Sequence, residues 1–512
     1  MDLDPQACYR AIATRDPRFD GRLFIGVTST GVYCRPICPA RTPKPENCRF
    51  FATAAAAQET GFRPCLRCRP EISPELAAWR GSSNTVRRAL ALIAEGALDG
   101  DDDAVPVLAE RLGVGERQLR RLFHNHLGAS PIAVAQTRRV LFAKQLIHET
   151  QLPMTEVALA SGFGSVRRFN HIFRALFARP PRELRRSAPR AGHAATITLA
   201  LPYAPPYDWP AMLAFLAARA IPGVEHVAEG RYCRTIALDG AHGWVEVAPD
   251  SGRHALRATI RFPSVKALPS VVARLRRVLD LNADISAIGA HLSGDPRLAP
   301  LIAARPGLRV PGAWDGFELT VRAVLGQQIT VSAATGLAGK LVRAHGTPLA
   351  LADAPAHLTH AFPRPEALAS ADLGVLGMPR ARGRALSALA AMTAADPRLF
   401  APGRELDETI ARLCELPGVG EWTAQYVAMR GLREPDAFPA ADIGLLRAME
   451  DESGRRPKPA ELLTRAEAWR PWRAYAALHL WAADTHRSSS KKTTPPRTAA
   501  RRKEKADVLV LA

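Results

Sequence analysis

Two close pairs of cysteines near the start of the sequence have the spacing of a metal site. Cys34 and Cys38 are separated by three residues, Cys65 and Cys68 by two, and 26 residues lie between the pairs. Two thiol pairs on separate turns can place four sulfurs about 2.3 Å from one zinc ion, and the metal then stabilises a small domain. The spacing therefore predicts one zinc ion held by these four cysteines. Cys48 is a fifth thiol nearby and could substitute for one of them.

A zinc-bound sulfur is also a nucleophile, because the metal holds it as a thiolate at neutral pH without a general base. A zinc ion with four thiolates carries a charge of about −2, and a methyl group on one sulfur reduces this to about −1. Repulsion from a nearby polyanion would fall accordingly, so alkylation of the sulfur would also act as a charge switch. On spacing alone, a purely structural zinc site is the simpler interpretation.

A glycine-rich turn lies in LPGVGEWTAQYVAMRG, residues 416–431. Gly418 and Gly420 permit a tight turn between two helices, and the exposed N–H groups can hold a DNA phosphate at the start of the second helix. This pattern predicts a helix-hairpin-helix. Asp442 follows 22 residues after Gly420, in AFPAADIG. An aspartate near a helix start is usually a cap, but beside a DNA-binding hairpin catalysis becomes the stronger interpretation.

Two similar stretches, about fifty residues apart, each combine a short apolar helix, a glycine in a turn and a basic second helix. VLAERLGVGERQLRRLF ends at Phe123, and VALASGFGSVRRFNHIF ends at Phe173. This is the layout of a helix-turn-helix, whose second helix can enter the major groove of DNA. The alternative is a solvated arginine face. The predicted DNA contacts are Arg117, Arg120 and Arg121 in the first copy and Arg167 and Arg168 in the second.

Composition shifts and turn residues divide the 512 residues into several segments. Helical periodicity dominates from about residue 85 to 186 and again after Pro306, and alternating strand patterns occur in the stretch after residue 196. The predicted fold class is therefore multidomain and mainly α, with α+β parts. The predicted domains are a four-cysteine zinc domain at 1–80, a double helix-turn-helix at 84–186, a linker at 187–195, an α+β domain at 196–305, a helix-hairpin-helix domain at 306–486 and a disordered basic tail at 487–512.

The formal net charge of +20 is concentrated at the two ends of the chain. Residues 1–190 carry 29 basic and 18 acidic side chains, residues 191–486 carry 32 and 29, and residues 487–512 carry 8 and 2. This distribution favours a polyanionic partner, and nucleic acid is the obvious candidate. No run of eighteen uncharged apolar residues and no signal-peptide pattern is present, so we expect a soluble intracellular protein without a membrane partner.

The cysteine segments GVYCRPICPAR and GFRPCLRCRP resemble the N-terminal domain of Ada methylphosphotriester repair proteins. The resemblance implies that Cys34 accepts a methyl group from damaged DNA backbone, and that Cys38, Cys65 and Cys68 complete the zinc site. Ada proteins commonly carry a second methyltransferase domain with a Pro-Cys-His-Arg nucleophile. That segment is absent here, so direct repair of oxygen-alkylated guanine is not expected.

The two helix-turn-helix copies, with the joining helix at 131–150 and the ending ARPPREL at 178–184, resemble the AraC-type DNA-binding domain. A regulator of this kind would bind promoter DNA and, when it acts as an activator, RNA polymerase. With the Ada-like domain, this implies a DNA-binding transcriptional regulator that responds to alkylation.

The C-terminal part resembles 3-methyladenine DNA glycosylase II of the AlkA type over roughly residues 196–486. Besides the hairpin and Asp442, the resemblance rests on PPYDWPAMLAFLAARA at 205–220, VRAVLGQQITV at 321–331 and RPWRAYAALHLW at 470–481. It implies that Asp442 is the catalytic carboxylate. An N3- or N7-alkylated purine is already cationic and leaves readily, and a carboxylate can stabilise the oxocarbenium character of the sugar.

The same resemblance implies further site residues. Trp422, Tyr426 and Trp481 would line the base pocket, where their faces favour a cationic base by about 0.5–2 kcal/mol; ordinary core packing is the alternative. Gln328, or its neighbour Gln327, would fill the gap left by the flipped base. The best-known family member has an apolar leucine at the position of Gln328, and this departure puts the wedge role in doubt. The hairpin residues Gly418, Gly420 and Thr423 would contact DNA.

Related glycosylases that also cut the strand carry a Schiff-base lysine where this chain has Trp422. We therefore expect a monofunctional enzyme that leaves an abasic site. No cysteine follows Cys414, so no C-terminal iron–sulfur cluster is expected.

These expectations describe a protein of alkylation repair and its regulation, which acts on alkylated and promoter double-stranded DNA in a bacterial cytoplasm, associated with the nucleoid. Two alternatives remain. The chain could be a transcription factor whose glycosylase half is only a DNA-binding platform, or a glycosylase with a zinc targeting module that transfers no methyl group.

Overall fold

The computed structural model describes residues 4–76, 84–99, 104–185, 196–349, 354–401 and 405–492. The predicted linker at 187–195 and most of the predicted basic tail lie outside the described residues. The chain forms two compact units. The first comprises Met1–Ala204, Leu238–Arg276 and Leu281–Asp284, and the second comprises Pro205–Ala237, Arg277–Asp280 and Ile285–Ala512.

The cysteine-bearing segment folds as a small four-stranded sheet with two helices. Its elements are α1 (Pro5–Ala13), β1 (Phe24–Val27), β2 (Val32–Cys34), β3 (Cys48–Phe51), α2 (Ala54–Glu59) and β4 (Arg63–Pro64). The strand order is β3–β1–β2–β4, in which β2 and β4 are parallel and the other pairs antiparallel. Ile12, Leu23 and Ile25 form a buried cluster on one side of the sheet, which is a small core for this segment.

The next segment is helical, as its periodicity predicts. It contains α3 (Asn84–Ala94), α4 (Ala104–Arg111), α5 (Glu116–Leu127), α6 (Pro131–Glu149), α7 (Met154–Ala160) and α8 (Val166–Phe177). The turn glycines Gly113 and Gly162 have φ angles of +69° and +79°, a region that favours glycine. Helix α8 buries Phe169, Phe173 and Phe177, one per turn. Both helix-turn-helix pairs thus form with the predicted turn residues.

The cysteine-bearing sheet packs on the helical segment within the first unit. Thr53 caps the start of α2 and donates its hydroxyl to the carbonyl of Leu127 at 2.8 Å. At the other end of α2, Glu59 accepts from the Ser130 hydroxyl at 2.7 Å. These two contacts fix α2 against the junction between α5 and α6.

The α+β segment begins at the strand that the alternation after residue 196 predicts. Its elements are β5 (Ile197–Pro202), α9 (Trp209–Arg219), β6 (Glu225–Ala228), β7 (Arg231–Leu238), β8 (Ala241–Pro249), β9 (Ala255–Arg261) and α10 (Leu268–Val278). In the first unit β9 pairs antiparallel with both β5 and β8, and in the second unit β6 pairs antiparallel with β7.

The remaining segment is helical except for one short strand pair. It contains α11 (Ile285–Leu292), α12 (Ala299–Ala304), α13 (Gly316–Gly326), α14 (Val331–His345), β10 (Thr347–Pro348), β11 (His360–Ala361), α15 (Pro365–Ala369), α16 (Arg380–Ala395), α17 (Leu406–Cys414), α18 (Glu421–Arg430), α19 (Ile443–Ala448), α20 (Pro459–Ala466) and α21 (Arg473–Lys492).

The run of helices that follows the strands begins earlier than the sequence pattern predicts. It begins with α10 at Leu268 and not after Pro306. Helix α10 carries Arg274, Arg276 and Arg277 among its apolar residues, and Arg276 is itself buried, so these charges obscured the apolar pattern of Val271 and Leu275. The general prediction of a mainly helical multidomain chain with α+β parts is confirmed.

Helix α13 lies at the centre of the part that holds the predicted hairpin. It buries Val321, Val324 and Leu325 and packs against α14, α16 and α18. Hairpin helices α17 and α18 pack on one another. None of the described helices combines the length and the apolar character needed to cross a bilayer.

Candidate functional sites

The four cysteines predicted to bind zinc lie together. Cys34 ends β2 and Cys65 directly follows β4, so the parallel register of these strands brings the two cysteine loops to the same end of the sheet. The four sulfurs all lie within 4.8 Å of one another. A tetrahedral zinc site at about 2.3 Å places sulfurs roughly 3.8 Å apart, so both the donor set and its spacing fit this metal.

Backbone groups and neighbouring thiols polarise these sulfurs. The N–H groups of Arg35 and Arg67 donate to Cys68 and Cys65, each at 3.3 Å. Cys38 and Cys65 each share a hydrogen bond with Cys34. This bond lowers the pKa of Cys38 to about 7, and it also lowers the pKa of Cys65. Hydrogen bonds with the other thiols instead raise the pKa of Cys34, so the four sulfurs all become thiolates only when a cation such as zinc binds them.

Cys48 does not join this cluster. It starts β3, opposite Val27, and its thiol donates to the carbonyl of Lys44 at 3.3 Å. The metal-ligating groups gathered among the described residues are the other four cysteines alone. The geometry therefore gives no support to Cys48 as a substitute ligand.

A buried lysine supports the second cysteine loop and was not found by sequence reasoning. Lys144 on α6 has no exposed surface, and its ammonium group donates to the Cys65 carbonyl at 2.9 Å and to Glu71 at 2.7 Å. Arg69 bridges Glu71 and Glu149 at 3.0 and 3.1 Å. No sequence pattern separates Lys144 from a surface lysine, because its partners lie 73 and 79 residues away.

The predicted DNA-contacting arginines lie on the second helix of each helix-turn-helix. Arg117 and Arg121 on α5 and Arg167 in the first turn of α8 are exposed. Arg120 is paired with Glu116 at 2.9 Å on its own helix. Arg168 is half-buried. Exposure at the start of the second helix is what a major-groove contact requires, and Arg117, Arg121 and Arg167 meet this condition.

The two hairpin glycines differ in what they do. Gly418 has φ +79° and lies so close to α16 that an added Cβ would be 3.0 Å from that of Ala385. Gly420 caps the start of α18 with an ordinary φ of −88°, and an added Cβ would meet no atom within 4 Å. The turn therefore needs glycine only at 418, which corrects the expectation for Gly420. Around a Cβ at position 420 there is open space, next to the first residues of α18.

Asp442 is a helix cap and is held by two tryptophans. It caps α19, where its Oδ1 accepts from the Leu445 N–H at 3.0 Å. Trp422 donates its indole N–H to Oδ2 and Trp481 donates to Oδ1, each at 2.9 Å. The residue is only 3% exposed. Because Trp422 lies in the first turn of α18, the carboxylate is joined directly to the hairpin helix.

Two of the three predicted pocket aromatics contact this carboxylate. Trp422 and Trp481 are half-buried, and their N–H groups, which sequence reasoning did not consider, donate to Asp442. The third, Tyr426, is buried and stacks on Trp422 with ring centroids 5.3 Å apart and planes at 10°. The two indoles therefore orient the carboxylate, and Tyr426 packs against one of them.

Two arginines lie behind Tyr426, of which Arg430 is buried and Arg219 is half-buried. Arg430 donates to the Tyr426 hydroxyl and lies 4.4 Å from the ring centroid of Phe215, and Arg219 lies 4.0 Å from the same ring. Burial lowers the pKa of Arg219 to about 10 and that of Arg430 as well. Sequence reasoning missed both, although an arginine within the otherwise apolar FLAARA segment was a signal for Arg219.

The two glutamines of the predicted wedge differ in environment. Gln328 is exposed and has a φ of +59°, which is uncommon for a residue other than glycine. The Gln327 side chain donates to the Gly418 carbonyl at 2.8 Å and to the buried Thr423 hydroxyl at 3.3 Å. Gln328 is therefore the exposed member of the pair, whereas Gln327 is held against the hairpin.

Four family models match the chain in order. They are the metal binding domain of Ada at residues 7–71, a helix-turn-helix domain at 108–187, the AlkA N-terminal domain at 198–315 and the HhH-GPD superfamily of base excision DNA repair proteins at 321–474.

Individual proteins match as well. A probable bifunctional transcriptional activator/DNA repair enzyme AlkA from Mycobacterium tuberculosis is 43% identical over 491 residues, which cover 95% of this chain and 98% of the relative. DNA-3-methyladenine glycosylase 2 of Escherichia coli is 38% identical over 55% of this chain and 95% of its own length. The structure of a 3-methyladenine DNA-glycosylase from Archaeoglobus fulgidus superposes with a TM-score of 0.50, at 23% identity, over 57% of this chain and 99% of the other, which is a likeness of fold.

Proposed function

The chain belongs to the family of bifunctional transcriptional activators and DNA repair enzymes of the AlkA type, and we propose that it hydrolyses the N-glycosidic bond of alkylated purines such as 3-methyladenine in duplex DNA. The observation that carries this proposal is the buried carboxylate of Asp442, which both indole N–H groups hold beside the hairpin helix. The fold brings a glycine-containing hairpin turn and an acid into one small region, and in this proposal the turn binds a DNA phosphate.

Asp442 acts on the sugar. Alkylation at N3 or N7 places a positive charge on the purine, so the base leaves without a proton from the protein. As the glycosidic bond lengthens, positive charge moves to the sugar, and the carboxylate stabilises it and orients the attacking water. The C–N bond breaks, water supplies oxygen to the sugar carbon, and its proton is released, leaving free base and an abasic site.

The enzyme is proposed to be monofunctional. A strand-cutting glycosylase needs an amine to form a Schiff base with the sugar. At the corresponding place this chain has Trp422. Its indole N–H donates a hydrogen bond to Asp442, and the indole nitrogen is not a nucleophile. The products are therefore a free base and an intact strand with one abasic site.

Asp442→Asn tests the glycosylase. The variant keeps the size of the side chain and removes its charge, so release of 3-methyladenine from methylated duplex DNA should fall at least about a hundredfold. Binding to duplex with an abasic-site analogue should remain, since the hairpin is unchanged. Wild-type protein that binds DNA but releases no base would instead favour a regulator whose glycosylase half is only a DNA-binding platform.

We further propose that Cys34 accepts a methyl group from methylphosphotriesters. The site fits one zinc ion, which when bound keeps the sulfurs as thiolates. Hydrogen bonds with the other three thiols, and then burial, raise the pKa of Cys34, so a bound zinc ion is needed to keep this sulfur as a thiolate. Backbone N–H groups donate to Cys65 and Cys68 and withdraw charge from those sulfurs. In the transfer, the Cys34 sulfur forms a bond to the methyl carbon, the carbon–oxygen bond breaks, and the phosphate leaves as a diester anion.

Cys34→Ala tests this step, with Cys48→Ala as the matched control because Cys48 lies outside the sulfur cluster. Mass spectrometry after exposure to methylated DNA should show one added methyl on the control and none on Cys34→Ala. No methyl on wild-type protein that contains zinc would favour the alternative, a glycosylase with a zinc targeting module.

In this proposal the division into domains at 1–80, 84–186, 196–305 and 306–486 corresponds to methyl acceptor, promoter reader and the two parts of the glycosylase. Loss of one negative charge at Cys34 reduces repulsion from DNA, so a repaired phosphotriester leaves behind a tighter promoter binder. RNA polymerase is the proposed protein partner, and the nucleoid of a bacterial cytoplasm the proposed location.

A further inference from the structure

We propose that Gln327 is a positioning residue that couples the phosphate-binding hairpin to the loop carrying Gln328, so that gripping the DNA backbone and filling the vacated stack occur together. The inference rests on the proposed glycosylase function and concerns how the base is turned out of the duplex. It assigns to Gln327 a role that is neither wedge nor catalyst.

Gln327 joins three parts of the helical domain. It ends α13, and its side-chain amide donates to the carbonyl of Gly418 in the hairpin turn at 2.8 Å. The same nitrogen lies 3.3 Å from the hydroxyl of Thr423, which is on α18 and 3% exposed. One amide group thus connects the end of α13 to both sides of Gly420, where the phosphate is expected to bind.

Arg382 holds the same residue from a third side. Its guanidinium, on α16, donates to the Gln327 carbonyl at 2.6 Å. Immediately afterwards the chain adopts φ +59° at Gln328. A non-glycine residue keeps such a conformation only where its surroundings determine it, and here both the side chain and the carbonyl of the preceding residue are bonded.

This arrangement has a mechanical consequence. Any shift of the hairpin turn on binding a phosphate moves the Gly418 carbonyl, and the bond to Gln327 transmits that shift to the loop tip at Gln328. Conversely, a hairpin without this bond could grip DNA while the tip stayed undefined. The loss would then appear in base flipping, which costs a few kcal/mol for a paired base and little for an unpaired one.

The experiment uses the full chain and Gln327→Met, which keeps the length of the side chain and removes both hydrogen bonds. Single-turnover release is measured from duplex with one 7-methylguanine opposite cytosine, and from the same duplex with the lesion opposite an abasic-site analogue. We expect Gln327→Met to lower the rate on the paired lesion about tenfold, because the hydrogen bonds of the amide to Gly418 and Thr423 are lost, and less than about threefold on the unpaired lesion. Fluorescence of 2-aminopurine beside the paired lesion should fall in parallel.

Arg382→Met is the second variant, and Arg384→Met is its matched control because Arg384 is exposed on the same helix and carries the same charge. Arg382→Met should repeat the paired-lesion defect and Arg384→Met should not. Equal loss on both substrates, or wild-type rates for Gln327→Met on the paired lesion, would overturn the inference. Absence of base release by wild-type protein would contradict the proposed function itself, which is a separate result.

Discussion

Trp481 donates its indole N–H to Oδ1 of Asp442 at 2.9 Å, while Trp422 donates to the other carboxylate oxygen at the same distance. Both donors are neutral, so they orient the carboxylate without cancelling its charge. An arginine in their place would also have fixed the aspartate but would have neutralised it. The pair of indoles therefore leaves a negative charge available for a developing sugar cation.

Trp481→Phe should separate orientation from packing. Phenylalanine keeps an aromatic face and removes the N–H donor, so the carboxylate keeps its charge but loses one of its three bonds. We expect the rate of base release to fall about tenfold with little change in KM, since the cost is in the transition state. Steady-state kinetics on methylated duplex DNA would measure both.

The matched control for this variant is Trp209→Phe. It removes a single indole bond, from Trp209 to the carbonyl of Gly230 at 3.0 Å, at a place without a proposed role in catalysis. If both variants lowered the rate equally, the effect of Trp481→Phe would reflect stability and not the orientation of Asp442.

The two hairpin glycines should respond differently to alanine. Gly420→Ala fits the free protein, because φ is −88° and the added Cβ meets no atom within 4 Å. It would, however, occupy the open space next to the first residues of α18 and should weaken duplex binding roughly tenfold, with unfolding unchanged. Gly418→Ala places alanine at φ +79° and should lower the free energy of unfolding by about 1–2 kcal/mol.

Fluorescence anisotropy with labelled duplex and chemical denaturation measure the two quantities. Normal DNA affinity for a stable Gly420→Ala protein would place the bound phosphate elsewhere than at the start of α18.

Metal removal should affect the first unit most strongly. The sheet around the cysteines has a small core, so the sulfur cluster contributes a large part of its stability. Chelation should unfold this sheet and release α2 from its contacts with Leu127 and Ser130. Hydrogen exchange should therefore rise in α2 and at the junction of α5 and α6, and it should remain unchanged in α17 and α18.

The zinc content of the variants Cys68→Ser and Cys48→Ser tests the same metal site by substitution instead of chelation. Cys68 is buried in the sulfur cluster, whereas Cys48 bonds to the Lys44 carbonyl. Zinc content should fall in Cys68→Ser alone. A full equivalent of zinc in Cys68→Ser would contradict the four-cysteine assignment.

Periodicity and spacing predicted the parts whose signal is local. The helix-turn-helix pairs and the hairpin turn at Gly418 depend on residues close together in sequence. The grouping of four cysteines followed from two close pairs of one metal-ligating residue type, although 26 residues lie between the pairs. The sequence pattern could not predict hydrogen bonds between side chains that lie far apart in the sequence. The partners of Asp442 lie 20 and 39 residues away, and those of Lys144 lie 73 and 79 residues away. Resemblance named Trp422 and Trp481 as pocket residues, but only the geometry assigns their N–H groups to the carboxylate.

His479 gives the chain a pH-dependent stability that can be isolated by one substitution. It is 6% exposed on α21, and burial, with the nearby charge of Arg305, lowers its pKa to about 4. In the unfolded chain the imidazole takes up a proton near pH 6.5, and in the folded protein only near pH 4. Between these values the unfolded state binds more protons, so stability falls as the pH is lowered from about 6.5 to about 4 and is unaffected by this group above 6.5.

Replacing His479 by glutamine keeps a donor for the Leu301 carbonyl and removes the titration. The difference in unfolding free energy between pH 7 and pH 5 should therefore be about 2 kcal/mol smaller for His479→Gln than for wild type, whereas His171→Gln, at an exposed position on α8, should behave as wild type. Urea denaturation at the two pH values measures this difference, and identical pH dependence in wild type and His479→Gln would show that the imidazole is not kept neutral by burial.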